Sequence, residues 1–304
     1  MRDIDQGGYG PLCTKPYAQP GQFGHNRFAH SLGVYLLLNK FGASIEEQIA
    51  GLLHDVSHSA FSHCIDYVLK TGDGKKHNHQ DNSHDNFVKK TNFPKILKKY
   101  KIDLKFILND RNFPLKEKSL PDLCADRIDY SLREGVIFKE ITGVQAQNLL
   151  ENLIAENGQW VFKDLKNAEK YAKLFLKLNK IYYSGFRSAV MFGTVGDCLK
   201  YALQKKYISK TDLYATDKIV LAKIKKFLKK DKRLNLFWQR MNDKIGISQN
   251  RCDYDTKIFC KSRIVDPLFK DNGKIKRLSE AKRGWQKIIK QELKPKEYFL
   301  KYDC

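Results

Sequence analysis

The sequence predicts a mainly α-helical fold with few short strands. Apolar residues recur at helical spacing in several long segments, and capping residues and glycines stand where these segments begin and end. Runs that alternate apolar and polar residues, which are typical of strands, are weak throughout the chain. With 304 residues, the chain is also long enough to bury a substantial core. We therefore expect one large helical domain with a C-terminal extension.

Helical periodicity also locates the helices along the chain. The predicted helices cover residues 32–41, which Gly42 ends, a stretch from a Ser44–Glu47 capping box to His54, and residues 121–133, which Gly135 ends, 171–206 and 211–230. Residues 71–86 are polar and contain glycine, so they predict a loop, and a helix is expected to begin again at Phe87. Asp122, Asp126 and Asp129 are predicted to share one helix face.

The composition describes a basic protein that is not embedded in a membrane. Lys and Arg total 56 against 34 Asp and Glu, so the field of the protein attracts anions. No apolar run approaches the roughly 18 residues of a membrane span, and the first eight residues lack a signal-peptide core. Seven cysteines without a CxxC pair fit reduced thiols. We expect a cytoplasmic protein, or a nuclear one if the source is eukaryotic.

The charge is unevenly distributed along the chain. Residues 25–66 are locally acidic, whereas basic runs occupy residues 223–233 and the region from 261 onward. These runs could serve nucleic acid or nucleotides, or they could be solvated helix faces, and the sequence leaves both interpretations open.

The C-terminal region, residues 261–304, is basic but also carries apolar residues. Ile264, Val265 and Phe269 supply apolar anchors, and Trp285 and Ile289 supply a helix face. We therefore predict that this region is folded against the helical body and is not a free tail.

The histidines are concentrated in one part of the chain, since all eight lie between His25 and His84. This part holds His30 and a His54–Asp55 doublet, and Asp126 follows on a helix of its own. Imidazole and carboxylate together suit a divalent metal such as Mn, Fe, Zn or Mg. A mixed set of this kind leaves coordination positions open for a phosphoryl oxygen and a water. The sequence therefore predicts metal-dependent hydrolysis of a phosphoester.

The His54–Asp55 doublet also predicts a local break in the helix. Successive side chains diverge on a regular helix, so both can face one ion only where the helix ends or bends. His58 and His63 follow, and with Arg27 they are predicted to form a cationic rim that neutralises phosphate oxygens. The alternative is that the two histidines are structural.

Three motifs in register resemble one enzyme family. GHNRFAHSLGV (24–34), IAGLLHDVSHSAFSH (49–63) and DRIDY (126–130) look like those of the HD-domain dNTP triphosphohydrolases, which include bacterial dGTPases and the animal sterile-alpha-motif/HD enzyme. A looser similarity extends to RIVDPLF and KRLSE, within residues 263–280. The resemblance implies an HD-domain helical bundle with additional C-terminal helices. It divides the chain into a metal-binding core (1–150), a helical continuation packed on it (151–260) and the basic C-terminal region (261–304).

The resemblance implies roles for individual residues. The implied metal ligands are His30, His54, Asp55 and Asp126, the implied phosphate contacts are Arg27, His58 and His63, and the positions matched near sugar and phosphates are Asp129 and Tyr130. It also implies a catalytic histidine in the polar loop, for which His84, next to Asp85, fits best. His77 and His79 are the alternatives.

Two departures from the family pattern stand out. Ser57 occupies the place where the family usually has glycine, and its small size predicts tolerance. MRDIDQGG resembles the family's RLxxIxQxG motif, but the sequence begins inside this motif. We therefore expect the upstream segment, which helps to bind the sugar and base of the nucleotide, to be absent.

The predicted activity is hydrolysis of (deoxy)nucleoside triphosphates to the (deoxy)nucleoside and inorganic triphosphate, with His84 protonating the departing 5′-oxygen. One alternative is another phosphoester substrate: a nucleoside monophosphate, a cyclic or oligonucleotide, or nucleic acid. The other is a non-catalytic nucleic-acid-binding or regulatory protein, which the basic charge favours. The resemblance also implies assembly as a homo-oligomer, and it leaves open a nucleotide activator as a further ligand.

Overall fold

The computed structural model describes residues 1–9, 25–69 and 72–303, and these residues form a mainly α-helical protein, as predicted. The α-helices are α1 Arg27–Lys40, α2 Ile45–Leu53, α3 His79–Lys89, α4 Phe93–Lys99, α5 Leu104–Ile107, α6 Ala125–Ile137, α7 Gly143–Glu151, α8 Leu165–Leu178, α9 Phe186–Gln204, α10 Asp217–Lys225, α11 Lys232–Met241, α12 Leu278–Ala281 and α13 Arg283–Glu292. The strands are β1 Leu153–Glu156, β2 Gln159–Phe162, β3 Ile247–Gln249, β4 Thr256–Cys260, β5 Leu268–Asp271, β6 Lys274–Arg277 and β7 Lys296–Tyr302. Gly24 of the first motif and Thr71 of the predicted loop lie outside the described residues.

Helix α1 begins earlier than the sequence predicted. Asn26 caps it, because the side-chain oxygen of Asn26 accepts a hydrogen bond from the backbone N–H of Ala29 at 2.8 Å. The helix therefore includes Arg27 and His30, and the side chains of both are buried.

Helix α2 begins at the predicted cap, but the capping box is only half formed. The hydroxyl of Ser44 accepts a hydrogen bond from the backbone N–H of Glu47 at 3.2 Å. The carboxylate of Glu47 does not return to Ser44. It accepts the backbone N–H groups of Leu115 and Lys116 at 2.7 and 2.8 Å. Glu47 thus ties α2 to the segment that precedes α6.

The polar loop predicted over residues 71–86 is wrong in its second half, because α3 begins at His79. The carboxylate of Asp66 accepts the backbone N–H of His79 at 2.9 Å, which satisfies one of the free donors at the start of this helix. A tertiary contact with Asp66 therefore supports a helix that the local sequence does not favour. His84 and Asp85 consequently lie on a helix and not in a loop.

Helix α6 differs from its prediction at both ends. It begins at Ala125 and continues through Gly135 to Ile137. Asp122 lies before the helix, where Nη1 of Arg277 is 2.6 Å from its carboxylate. The prediction of a shared face is therefore wrong for Asp122, whereas Asp126 and Asp129 both contact the same residue of α1.

Two of the predicted long helices are interrupted. The stretch 171–206 comprises α8 and α9 with a π-helical turn, Asn179–Tyr183, between them. The stretch 211–230 comprises a 3₁₀ turn, Thr211–Tyr214, followed by α10.

The C-terminal region packs on the helical body, as predicted. One sheet has the strand order β1-β2-β5-β6, in which β2 and β5 are parallel, and the other has the order β3-β7-β4. Ile264, Val265, Phe269, Trp285 and Ile289 are all buried in the core cluster that also contains residues of α1, α6 and α8. No helix among the described residues is long and apolar enough to cross a membrane.

Two glycines allow the helices that carry the histidines to approach closely. A Cβ at Gly51 of α2 would lie 2.5 Å from Cδ1 of Leu38 on α1. A Cβ at Gly33 of α1 would lie 2.0 Å from Oδ1 of Asp129 on α6. Since real side chains do not approach so closely, glycine is required at both places, and it brings α2 and α6 against opposite parts of α1.

Asp217, the first residue of α10, links the helical body to the turn that follows the histidine doublet. Its Oδ1 accepts the backbone N–H of Phe61 at 2.7 Å, and its Oδ2 accepts that of Asp5 at 3.4 Å. Burial raises the pKa of Asp217 to about 7, although the hydrogen bond from Phe61 opposes this shift. The folded protein therefore binds a proton here more tightly than the unfolded chain does.

We predict that Asp217 makes stability depend on pH. Its contribution is fully present below the unfolded pKa of 3.8 and is lost as pH rises through the folded pKa of about 7. In Asp217→Asn, which keeps an acceptor for Phe61, the melting temperature should fall less between pH 5 and 8 than in the wild type. Asp253→Asn, at an exposed carboxylate, should follow the wild-type curve. Parallel curves for Asp217→Asn and wild type would contradict the assignment.

Candidate metal centre

Four side chains from α1, α6 and the end of α2 converge at one point. Nε2 of His30 lies 2.9 Å from Oδ1 of Asp126 and 3.2 Å from Nε2 of His54. The carboxylate of Asp55 lies 3.4 Å from Nε2 of His54 and 3.8 Å from Nε2 of His30. The structure therefore brings together all four residues that the resemblance implied as metal ligands.

The end of α2 explains how neighbouring residues reach the same point. The helix ends at Leu53, and His54 is its C-cap, after which residues 54–57 form a turn. Nδ1 of His54 donates to the carbonyl of Gly51 at 2.7 Å, so its Nε2 is the nitrogen that faces the cluster. The predicted break in the helix is confirmed.

His30 is held from behind by Asp129. Nδ1 of His30 lies 2.8 Å from Oδ2 of Asp129, which also accepts Nε of Arg133 at 3.2 Å. This contact fixes the ring and directs Nε2 toward Asp126. Asp129, implied by the resemblance to lie near the substrate, therefore orients His30 in this structure. Tyr130 lines the adjoining cavity.

The chemistry of the cluster fits a divalent cation. Donor atoms of His30, His54 and Asp126 all lie within 4.8 Å of one another, and ligands about 2.0 to 2.3 Å from one ion are separated by about 3 to 4 Å. Burial alone would lower the pKa of His30, but hydrogen bonds to Asp126 and Asp129 outweigh it and raise this pKa to about 10. The surrounding carboxylates thus stabilise positive charge at this point, which a bound metal ion would also supply.

Arg27 lies against the cluster and holds Asp55. Its Nη1 donates to Oδ2 of Asp55 at 2.8 Å, its Nε to the hydroxyl of Ser62 at 3.1 Å, and its Nη2 to the carbonyl of Gln6 at 2.8 Å. Burial would raise the pKa of Asp55, but Arg27 and the neighbouring histidines outweigh it and hold this pKa well below its usual range. Arg27, implied as a phosphate contact, here keeps Asp55 ionised and oriented.

His58 is buried, His63 is partly exposed, and both have a lowered pKa. Burial, with Arg27 adding to it, lowers the pKa of His58 to about 4. Burial and then Arg27 also hold the pKa of His63 well below its usual range. The predicted cationic rim is therefore wrong for these two histidines, because burial next to an arginine disfavours the imidazolium. In the neutral form, each ring can still donate one N–H to a phosphate.

His84 lines the cavity from α3. Its Nδ1 lies 3.2 Å from the hydroxyl of Ser57, the residue that replaces the family's glycine. Burial and then Lys116 lower the pKa of His84, and Asp85 opposes this shift only in part. The carboxylate of Asp85 lies 3.9 Å from Nζ of Lys89. The structure therefore pairs His84 with Ser57, where the sequence had suggested that Asp85 orients it.

The two alternatives to His84 occupy different places. His77 lines the cavity and stacks on His63, with ring centroids 4.9 Å apart. Asp66 completes this group, since its Oδ2 lies 3.3 Å from Nδ1 of His63. His79 faces away to Tyr214, whose hydroxyl lies 3.4 Å from its Nε2.

The cluster opens on a cavity of about 920 Å³. His54, Asp55 and Asp126 line it. So do seven cationic side chains that the sequence analysis did not assign to the site: Arg111, Lys116, Lys118, Arg127, Arg187, Lys261 and Arg263. Arg127 follows Asp126 directly in the third motif, so the sequence could have indicated that Arg127 also lies at the site. Lys261 and Arg263 lie in the basic C-terminal region, where sequence alone offers no reason to single them out.

Comparisons with known proteins identify the domain that contains this cluster. Residues 27–134 match the HD domain family. An uncharacterized protein of Bacillus subtilis, YdhJ, is 32% identical over 96% of this chain and 91% of its own length. A metal-dependent phosphohydrolase of Cordyceps militaris, cns2, is 40% identical over 42% of this chain, and this chain spans 36% of that relative.

Two more distant similarities extend over most of the chain. A Dictyostelium discoideum protein named as a deoxynucleoside triphosphate triphosphohydrolase, a SAMHD1 homolog, is 26% identical over 75% of this chain and 52% of its own length. The crystal structure of a hypothetical protein from Aquifex aeolicus covers 99% of this chain and 88% of its own at 18% identity, with a TM-score of 0.67, which shows a shared fold. The chain belongs to the HD-domain family of metal-dependent phosphohydrolases, whose cofactor is a divalent metal ion.

Proposed function

We propose that the protein hydrolyses (deoxy)nucleoside triphosphates to the (deoxy)nucleoside and inorganic triphosphate. In this proposal His30, His54, Asp55 and Asp126 hold one divalent metal ion. The observation that carries it is the convergence of these donor atoms beside a cavity lined by several lysines and arginines. Hydrolysis of another phosphoester at the same metal site is the alternative. Assembly as an oligomer, activation by a nucleotide and binding of nucleic acid stay predictions.

The lining of the cavity supports a nucleotide substrate. Lys116 and Arg127 supply positive charge beside the cluster, while Tyr182 and Phe138, whose rings stack with centroids 3.9 Å apart, supply flat apolar faces of the kind that accept a base or sugar. The Dictyostelium relative named as a triphosphohydrolase supports the same substrate class.

The metal ion and the residues around it have different roles in the proposed reaction. When bound, the metal ion would act as a Lewis acid toward a phosphate and toward the attacking water. Arg27 and Asp129 orient its ligands, and the cations of the wall neutralise phosphate charge. Attack of water at the α-phosphorus breaks the bond to the 5′-oxygen, which needs a proton, and we assign this proton to His84. A polyphosphate bound nearby would raise the lowered pKa of His84, because opposite charge stabilises the imidazolium.

The metal assignment predicts different results for two neighbouring aspartates. Asp126→Asn should weaken Mn²⁺ affinity by more than about 100-fold. Loss of a residue that only orients a metal ligand typically weakens affinity by about 10- to 100-fold, so loss of a ligand itself should cost more. Asp122→Asn should bind Mn²⁺ as the wild type does, since Asp122 pairs with Arg277. Titration calorimetry and metal analysis of the purified proteins measure both. Equal Mn²⁺ affinity in the two variants would exclude Asp126 as a ligand.

The products of hydrolysis test the proposed reaction. All common nucleotides would be incubated with the protein and Mn²⁺, Fe²⁺, Zn²⁺ or Mg²⁺, and the products separated by anion-exchange chromatography. We expect intact inorganic triphosphate and nucleoside in equal amounts, because cleavage occurs at the 5′-oxygen. Orthophosphate or pyrophosphate as the first product, or turnover of monophosphates or cyclic nucleotides alone, would favour the alternative.

The role of His84 can be tested against its neighbours. His84→Ala should retain metal and nucleotide but slow the chemical step by about 10²- to 10⁴-fold, because the departing oxygen loses its proton donor. His79→Ala is the matched control on the same helix, and its turnover should be unchanged. Loss of turnover in His77→Ala, with His84→Ala normal, would transfer the role to the His63–Asp66–His77 group.

A further inference from the structure

Two neighbouring cations on one segment of the cavity wall form no salt bridge with another described residue. Lys261 and Arg263 both line the cavity and are half-buried, and only longer-range attraction from Asp81 and Glu117 acts on Lys261. Arg111, which is exposed, and Lys118 also line the cavity without a salt bridge among the described residues. A charge that is partly removed from water without a partner is unfavourable, so such a pair is stabilised when an anion binds.

Three other cations of the same cavity each pair with a carboxylate, which offsets part of their charge. Nζ of Lys116 lies 2.5 Å from a carboxylate oxygen of Asp110, and Nη2 of Arg127 lies 3.3 Å from one of Glu117. Arg27 is likewise paired with Asp55. Lys261 and Arg263 therefore differ from these three neighbours, because no carboxylate of a described residue lies within salt-bridge distance of them.

The fold fixes the position of the two cations. The backbone N–H of Arg263 donates to Oδ1 of Asn179 at 2.8 Å, and Nδ2 of Asn179 donates to the hydroxyl of Ser262 at 2.9 Å. Asn179 is fully buried in the π-helical turn, and its Nδ2 also donates to Glu292 at 3.1 Å. The segment that carries both cations is thus anchored to the core, which lowers the entropy cost of binding a ligand.

The two cations act on groups at both sides of the cavity. Burial is the main cause that lowers the pKa of Lys261, to about 8, and the neighbouring Arg263 is the next. Both cations also help to hold the pKa of His77 low. Burial raises the pKa of Tyr130, and Arg263 acts in the opposite direction. The ring centroid of Tyr130 lies 6.3 Å from that of His30. Their positive field therefore extends from His77 to the wall beside the metal centre.

We infer that Lys261 and Arg263 form a phosphate subsite for the part of a phosphate chain that lies beyond the phosphate at the metal. This inference rests on the proposed function, and it gives a structural reason why the site would bind a triphosphate in preference to a monophosphate. A monophosphate at the metal leaves the two cations unpaired, whereas the distal phosphates of a triphosphate neutralise them.

The donor atoms of His63, Asp66 and His77 lie within 4.8 Å of one another, as in a metal site. The positive charge of Lys261 and Arg263 disfavours a second metal ion there. Lys261 and Arg263 act on both histidines and would repel a cation there. Neutral imidazoles beside two cations instead suit an anion, since each ring can donate one N–H.

Calorimetric titration of inorganic triphosphate and orthophosphate into the metal-loaded protein tests the subsite directly. Metal content would be measured again afterwards, because triphosphate chelates metal ions. Lys261→Met and Arg263→Met should each weaken triphosphate binding by about 10- to 100-fold, as expected for loss of a charge-assisted hydrogen bond. Orthophosphate binding should change little.

Lys257→Met is the matched control, because Lys257 lies on β4 and pairs with Glu297. It should bind triphosphate as the wild type does. Arg263→Lys and Lys261→Arg keep the charge and should recover most of the affinity, which also guards against a loss caused by misfolding. Wild-type triphosphate affinity in both methionine variants would overturn the subsite.

Turnover of nucleotides separates the subsite from the proposed function. If the protein hydrolyses nucleoside triphosphates and Lys261→Met and Arg263→Met leave KM unchanged, the subsite fails and the function stands. If no nucleotide is hydrolysed but the variants lose triphosphate affinity, the function fails and the subsite stands. Stronger loss for single-stranded DNA than for triphosphate would also overturn it, since the cations would then serve a nucleic-acid backbone.

Discussion

The contact between α1 and α6 through His30 is the interaction on which the site depends. One ring of a fully buried histidine touches Asp129 with Nδ1 and Asp126 with Nε2, each at less than 3 Å. Gly33 permits this approach, because any side chain there would collide with Asp129. The remaining residues of the cluster arrive from the end of α2, which Gly51 brings equally close to α1. The candidate metal centre is therefore a consequence of how closely three helices pack.

Burial and pairing decide the charge of each group around this centre. Carboxylates concentrated at the cluster raise the pKa of His30. Loss of solvation and then Arg27 instead lower the pKa of His58 and of His63. The positive charge that a phosphate meets comes from lysines and arginines of the cavity wall. Some of these cations pair with carboxylates, whereas Lys261 and Arg263 form no salt bridge with another described residue.

The C-terminal region contributes to the site although it is far from the motifs in sequence. Its apolar residues enter the core with those of α1, α6 and α8, and this packing carries Lys261 and Arg263 to the cavity. Asn179, buried in the interruption between α8 and α9, holds the connecting segment in place. The π-helical turn between α8 and α9 thus places the side chain of Asn179 where it can bind the backbone of the C-terminal region.

The sequence by itself determined the helical class, the family and the four residues that meet at the cluster, because helical periodicity and motif order are local properties of the chain. It also predicted the helix break at His54, since adjacent side chains cannot otherwise face one point. Only the tertiary structure decided that Asp129 and Arg27 orient other residues and that His84 lies on a helix beside Ser57. It also decided that the pKa values of His58 and His63 are lowered. These properties depend on burial and on partners from distant segments, because the free energy of a charge is set by its surroundings in space and not by its neighbours in sequence.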